Sequence, residues 1–193
     1  TRRSFSMANA PHDDEFVQLH IRHVPGGSFT DHVFEKMKER DILRFEAPHG
    51  SFFLREESDK PIVFVASGTG FAPIKAIIEH AIHKGIKRPM TLYWGCRVHD
   101  DLYLDALAQR WASEHGITYI PVLSEPRAED NWTGRTGFVH QAVMQDFPDM
   151  SAHQVYACGA PIVVDSARAA YTQAGLPSDE FYADSFTSAA DKA

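Results

Sequence analysis

The stretch Pro61-Ile-Val-Phe-Val-Ala-Ser-Gly-Thr-Gly-Phe-Ala-Pro-Ile74 decides how this chain is read. Its first half, through Ala66, is a short continuous apolar run, the pattern of a strand buried on both faces. Past Gly68-Thr69-Gly70, the residues from Ile74 to Ile82 repeat apolar side chains at helical spacing. A strand, a glycine turn and a helix in that order build an anion site. Glycines let the backbone approach a phosphate, and the start of the helix offers unpaired N–H groups. Pro73 suits the first helical turn, where its missing N–H costs little. G-x-G turns also occur as plain tight turns, but the strand–turn–helix context favours a nucleotide.

Working outward from this unit, strands are predicted at Ile62–Ala66, Met90–Trp94, Ile117–Val122, Gln154–Ala157 and Phe181–Ala183. Helices are predicted near Ala72–Lys84, Leu102–His115, Phe138–Asp146 and Ile162–Ala174. Gly85, Gly116 and Gly175 each follow a helix, as C-terminal caps do. This alternation implies an α/β fold, a doubly wound parallel five-stranded sheet over residues 58–193. Ligands of such sheets bind beyond the carboxyl ends of the strands.

Residues 1–57 have another texture. Glu15–Arg22 alternates apolar and polar side chains, a strand signal. Pro25-Gly26-Gly27 breaks the chain, and Ser28 or Thr30 is placed to cap a helix running to about Lys38. Asp41–Glu46 reads as another strand, Pro48–Ser51 as a turn and Arg55–Lys60 as a polar linker.

The post-strand loops carry the candidate chemistry. Gly95-Cys96-Arg97 follows the second strand, Ser124-Glu125-Pro126-Arg127 the third and Cys158-Gly159-Ala160-Pro161 the fourth. Cys158 alone reads as an inert buried thiol; followed by Gly-Ala-Pro at a strand end it becomes a candidate site group. Arg97 reads either as a solvated charge or as a ligand contact, and Cys96 as packing. In Arg3-Ser4-Phe5-Ser6, strand alternation puts Arg3 and Phe5 on one face and the hydroxyls on the other. A cation there suits a pyrophosphate and a ring suits a planar heterocycle. Gly26-Gly27-Ser28-Phe29-Thr30 is a second candidate phosphate turn.

Bulk properties exclude several classes. With 19 Lys and Arg against 26 Asp and Glu, the net charge of −7 and the lack of any basic block argue against nucleic acid as a partner. No apolar run reaches the roughly 20 residues of a membrane span. Two cysteines cannot hold an iron–sulfur cluster, which takes about four thiolates, nor a disulfide framework. The eleven histidines show no metal spacing, so no metal is expected, and His80 and His83 read as solvated on one helix face. The default location is cytoplasmic. Thr1–Asn9 opens without Met and reads as the middle of something, and Thr187–Ala193 is a small polar tail.

Taken together and in order, these motifs resemble the ferredoxin–NADP reductase superfamily, above all the flavin-dependent reductase components of bacterial oxygenases and the CDP-deoxyglucoseen-type reductases. The resemblance runs from Arg3 to Phe186 and implies two units. Residues 1–57 would be part of an FAD-binding antiparallel β-barrel, and residues 58–193 an NAD(P)-binding domain. It implies Arg3 on the FAD pyrophosphate, Phe5 against the isoalloxazine and Ser6 at the flavin edge. His20, Ile21 and Arg22 would line the flavin's ribityl and adenosine side, and Gly26–Thr30 would add pyrophosphate contacts. Gly50 and Phe52 match the family's G-x-F turn. Gly68–Pro73, including Ala72, implies the nicotinamide-dinucleotide site, with Thr69 close to where nicotinamide meets flavin. Cys158, Gly159 and Pro161 match the C-G-x-P segment near hydride transfer, and Phe186 the C-terminal aromatic that approaches the flavin.

In that family the arginine motif follows the opening strands of the barrel. Here it stands at residue 3, so the expectation is a barrel lacking those strands, through removal or because the sequence is partial. The family's extra ferredoxin domain is not seen either. The implied activity is transfer of electrons from NADH through FAD to an acceptor protein such as an oxygenase or iron–sulfur protein. The alternatives are a free flavin reductase or a non-catalytic nucleotide-binding relay subunit. Glu125 would repel a 2′-phosphate and favours NADH, while Arg97 and Arg127 keep NADPH possible.

Overall fold

The computed structural model describes residues 2–187; residues 188–193, the greater part of the polar tail, lie outside them. Six strands form one parallel sheet: β1 (Ile62–Ser67), β2 (Met90–Cys96), β3 (Thr118–Leu123), β4 (Arg135–Thr136), β5 (Gln154–Gly159) and β6 (Phe181–Ser185). Their order across the sheet is β4-β3-β2-β1-β5-β6, and every pairing is parallel. The helices are α1 (Ser28–Asp31), α2 (Phe71–His83), α3 (Asp105–His115), α4 (Val139–Asp146) and α5 (Pro161–Gln173).

The apolar run of β1 is buried from Ile62 to Ala66 because both of its faces are covered. Ile62, Phe64 and Ala66 pack with Phe71, Ile74, Ile78 and Trp111 of α2 and α3. Val63 and Val65 face the other way, toward Val139, Val143, Val164 and Tyr171 of α4 and α5. A two-residue period on a strand thus feeds two separate cores. Gly85, Gly116 and Gly175 all adopt positive φ after their helices, as the cap reading requires.

Three features differ from the sequence reading. The sheet has six strands, not five: β4 is only two residues long, too short to show a period. α3 begins at Asp105, because His99–Asp101 forms a 3₁₀ turn instead. The larger difference lies before residue 58. Glu15–Arg22 and Asp41–Glu46 do not form ladder strands; among the described residues this segment makes a single antiparallel bridge, Met7–Leu19. A strand exists only when a neighbour takes its N–H and C=O groups. Without one, Phe16, Ile42 and Phe45 stand 77%, 92% and 73% exposed. The predicted helix after Pro25 is real but short: α1 passes into a π-helical turn, His32–Lys36.

Candidate functional site

The sheet order makes β1 and β5 neighbours although the chain runs outward from β1 through β2 and β3 to β4 before returning. Their carboxyl ends therefore form a topological switch point, the place where such sheets bind ligands. Gly68–Gly70 sits at the end of β1 as one 3₁₀ turn leading into α2, and Pro73 lies in the first turn of that helix. Pro161 is the first residue of α5, directly after β5. Two helices of 13 residues thus start at the same crevice.

The two loops touch through their backbones. A Cβ on Gly70 would collide with the carbonyl of Cys158 and with Gly159 Cα. Gly159 has φ +135, and a Cβ there would stand 2.6 Å from the Ser67 carbonyl oxygen. No larger residue fits either position. Around Gly68, by contrast, a Cβ would meet nothing within 4 Å, so this backbone faces open space. The Trp94 indole donates to the Gly68 carbonyl at 3.0 Å and stacks on Phe71 at 3.9 Å, which fixes the turn from below.

The N-terminal segment reaches the same place. Ser6 Oγ donates to Asp184 Oδ2 at 2.5 Å. Asp184 lies on β6 in register with Cys158, which in turn is in register with Ala66 of β1. The Phe186 N–H donates to the Gly159 carbonyl at 2.8 Å, so the backbone at Phe186 is tied to the same loop. The fold therefore brings Ser6, Gly68, Thr69, Gly70, Cys158, Gly159 and Phe186 to one end of the sheet. Cys158 is fully buried, and burial, with Asp184 adding to it, pushes its pKa well above the usual thiol value. It is a neutral thiol that packs. Cys96 is likewise pushed up to about 12, mainly by burial.

The remaining predicted residues form three smaller groups. Phe5 packs on Phe29 at 5.2 Å, joining the arginine motif to the Gly26–Thr30 turn. Arg3 is exposed and, among the described residues, donates only to the neighbouring Arg2 carbonyl. Thr30 does not present its hydroxyl outward: Oγ1 donates to the Val24 carbonyl at 2.9 Å and accepts from the Val24 N–H at 3.2 Å, closing the turn. His20 pairs with Tyr103 through Nδ1 at 2.8 Å, with the partly buried Ile21 following it in the chain. Its pKa is lowered by burial and by Lys75 nearby. Phe52 packs edge-on against Tyr156, while Gly50 is exposed.

Beyond β2 and β3, the Ser124 N–H donates to the Cys96 carbonyl and the Glu125 N–H to that of Arg97. Glu125 also holds the Arg97 guanidinium through Nη2 at 2.9 Å and Nε at 3.3 Å. Arg127 faces Asp100, Glu129 and Asp130. Both arginines are thus already paired with carboxylates. His80 and His83 are not simply solvated. His80 bonds Glu56 at 2.8 Å, and His83 stacks on His12 at 3.8 Å. Among the described residues, one group of metal-capable donors, His23, Asp31 and Glu35, comes within 4.8 Å; at 2.8 Å the first two form a histidine–carboxylate pair.

Sequence reasoning missed Asp184, Tyr103 and Lys75. Each acts through a partner far away in the chain, Ser6 and Asp184 being 178 residues apart.

The oxidoreductase NAD-binding domain family matches residues 64–169, and the oxidoreductase FAD-binding domain family matches residues 1–54. The chain is 44% identical over 186 residues to the CDP-6-deoxy-L-threo-D-glycero-4-hexulose-3-dehydrase reductase of Yersinia pestis, covering 96% of this chain and 55% of that protein. It is 38% identical over 193 residues to the phenol hydroxylase P5 protein of Acinetobacter pittii, covering 99% and 55%. The crystal structure of the Amycolatopsis cytochrome P450 reductase GcoB superposes with a TM-score of 0.90 at 31% identity, over 97% of this chain and 57% of that one. The chain spans about half the length of these relatives.

Proposed function

The chain belongs to the oxidoreductases that join an FAD-binding to an NAD-binding domain, and on that premise we propose that it takes electrons from NADH and passes them through FAD to a redox partner protein. One observation carries the reading: Ser6, from the flavin-side segment, bonds Asp184 at the same crevice where the Gly68–Gly70 and Cys158–Pro161 loops meet. The residues fit a dinucleotide, because Gly68 leaves its backbone open while Gly70 and Gly159 admit no side chain. They fit a flavin next to it, because a hydroxyl, an aromatic ring and an exposed guanidinium follow one another in Arg3–Ser6.

When bound, the flavin supplies the redox chemistry, accepting a hydride from NADH and releasing single electrons. The chain's own residues bind and orient. The starts of α2 and α5 face the dinucleotide phosphates, with Ala72, Pro73 and Pro161 shaping those first turns. Arg3 and the Gly26–Thr30 turn hold the flavin phosphates, His20 and Ile21 line its side, and Phe5 supports its ring. Asp184 fixes the Ser6 hydroxyl at the flavin edge, and Phe186 shields the crevice. Cys158, buried and neutral, shapes the floor without donating or accepting a proton. Arg97 is paired with Glu125 and Arg127 with three acids, so neither of these two guanidiniums is free for a 2′-phosphate, which supports NADH over NADPH.

The flavin part comprises residues 1–57 and the dinucleotide part residues 58–193. The partner is an electron acceptor such as an oxygenase or an iron–sulfur protein; the relatives named for a hexulose dehydrase reductase and for a phenol hydroxylase support a partner-protein role. Both cysteines are free, which supports a cytoplasmic location; no helix among the described residues is long and apolar enough to cross a membrane. The test is the visible spectrum of the FAD-loaded chain under anaerobic conditions. The flavin bands bleach on adding NADH and much more slowly with NADPH; bands unchanged by either donor contradict the proposal.

A further inference from the structure

We propose that Lys75 is the positioning residue that seats the flavin-side segment on the dinucleotide-binding helix, an inference that rests on the cofactor reading given above. Lys75 is 7% exposed, and lysine is almost never buried unless paired. It lies on α2, five residues past Gly70. Its ammonium has three donors, and each finds an acceptor: the Ala8 carbonyl at 3.0 Å, Gln18 Oε1 at 3.1 Å and Glu79 Oε2 at 2.7 Å.

The first two acceptors are opposite ends of one rung. The Ala8 N–H donates to the Gln18 carbonyl at 2.8 Å, next to the Met7–Leu19 bridge. That bridge is the segment's single strand pairing among the described residues. Lys75 therefore grips the one ordered rung of the N-terminal segment, not a loose end. The rung is also well placed. Ser6 stands two residues before Ala8, and His20 two residues after Gln18. The charge reaches His20, whose pKa falls through burial first and Lys75 second. Glu79, one helical turn along, balances the ammonium so that the buried charge is paired.

All three Lys75 donors are taken by protein acceptors, so its role is to set where Ser6 and His20 stand relative to the glycine turn. Methionine at this position keeps the stem and removes the donors. The fully buried Ala8 carbonyl then loses a donor and Glu79 its cation. Hydride transfer depends steeply on such placement, since a shift of about 1 Å can cost about a hundredfold in rate.

The experiment compares wild type with Lys75→Met, FAD-loaded, by anaerobic stopped flow with NADH and by amide hydrogen exchange. We expect the limiting rate of flavin reduction to fall about tenfold or more while the NADH dissociation constant stays within about twofold. Exchange of the Ala8 amide should accelerate in the same variant. A folded Lys75→Met protein with an unchanged limiting rate overturns the proposal. Should that variant not fold, Gln18→Ala, which leaves α2 untouched, is judged by the same criterion. A wild-type protein that NADH does not reduce removes the cofactor reading instead. In that case Ala8 exchange decides the seat alone: faster in the variant supports it, unchanged overturns it.

Discussion

The sheet half of the molecule and the segment before it contrast in what holds them. In the sheet half every central strand has neighbours on both sides, and Phe64, Trp94 and Tyr156 are completely buried. The preceding segment, among the described residues, has one antiparallel bridge and leaves Ile42 and Phe45 largely exposed. Apart from Leu54 and Phe52, which pack into the sheet's core at its end, it keeps its place mainly through polar links to the other half: Ser6 to Asp184, Lys75 to Ala8 and Gln18, His20 to Tyr103, and the Arg55 N–H to Tyr156 Oη. One half is specified by its own packing; the other borrows its geometry, and the candidate site lies where the two meet.

The largest test of this contrast is Gly70→Ala. The new Cβ has no room against the Cys158 backbone, and backbone cannot move aside as a side chain tip can. We expect loss of NADH binding together with a destabilisation of about 3 kcal/mol, read by thermal melting and titration calorimetry. Next comes a matched pair. Phe64→Ala should cost about 3–5 kcal/mol in denaturant unfolding, as large-to-small changes in a full core do. Ile42→Ser should stay within about 0.5 kcal/mol, the range of a surface change. Equal costs at the two positions would erase the distinction between the halves.

Smaller effects sharpen it. Ser6→Ala removes the link to Asp184 and should slow flavin reduction about tenfold in stopped flow, with FAD still bound. A rate equal to wild type would take Ser6 out of the site. Glu125→Gln frees Arg97 and should raise kcat/KM for NADPH about two- to fivefold, the scale of one exposed ion pair. No change would mean Arg97 lies away from the 2′-phosphate position. The smallest effect is in pH. His20, His140 and His153 all have pKa values lowered by burial, so the unfolded chain binds more protons. Their stabilising contribution is complete above the ordinary value of 6.5 and is lost as pH falls below it. The melting temperature should therefore drop on acidification, and His153→Gln should flatten that slope.

The same contrast explains what could be read from sequence. β1 and its glycine turn were legible because a strand buried on both faces writes a continuous apolar run. β4 was not, since two residues carry no period. Glu15–Arg22 does alternate, but alternation records which side chains would face a core, not whether a neighbouring strand is there to complete the ladder. Within the site, the glycine loops and Cys158-Gly159 were legible from local chemistry. Asp184 and Lys75 were not. An acid near a strand end and a lysine on a helix look like solvated charges until folding brings Ser6 and the Ala8–Gln18 rung against them.

If the two halves meet closely enough, hydride passes directly from one bound cofactor to the other. Anaerobic stopped-flow bleaching of the FAD-loaded chain with NADH carrying deuterium at C4, against ordinary NADH, decides whether it does. We expect rapid bleaching with ordinary NADH and a clearly slower rate with the deuterated donor. Equal rates, or flavin bands that persist with both donors, would contradict it.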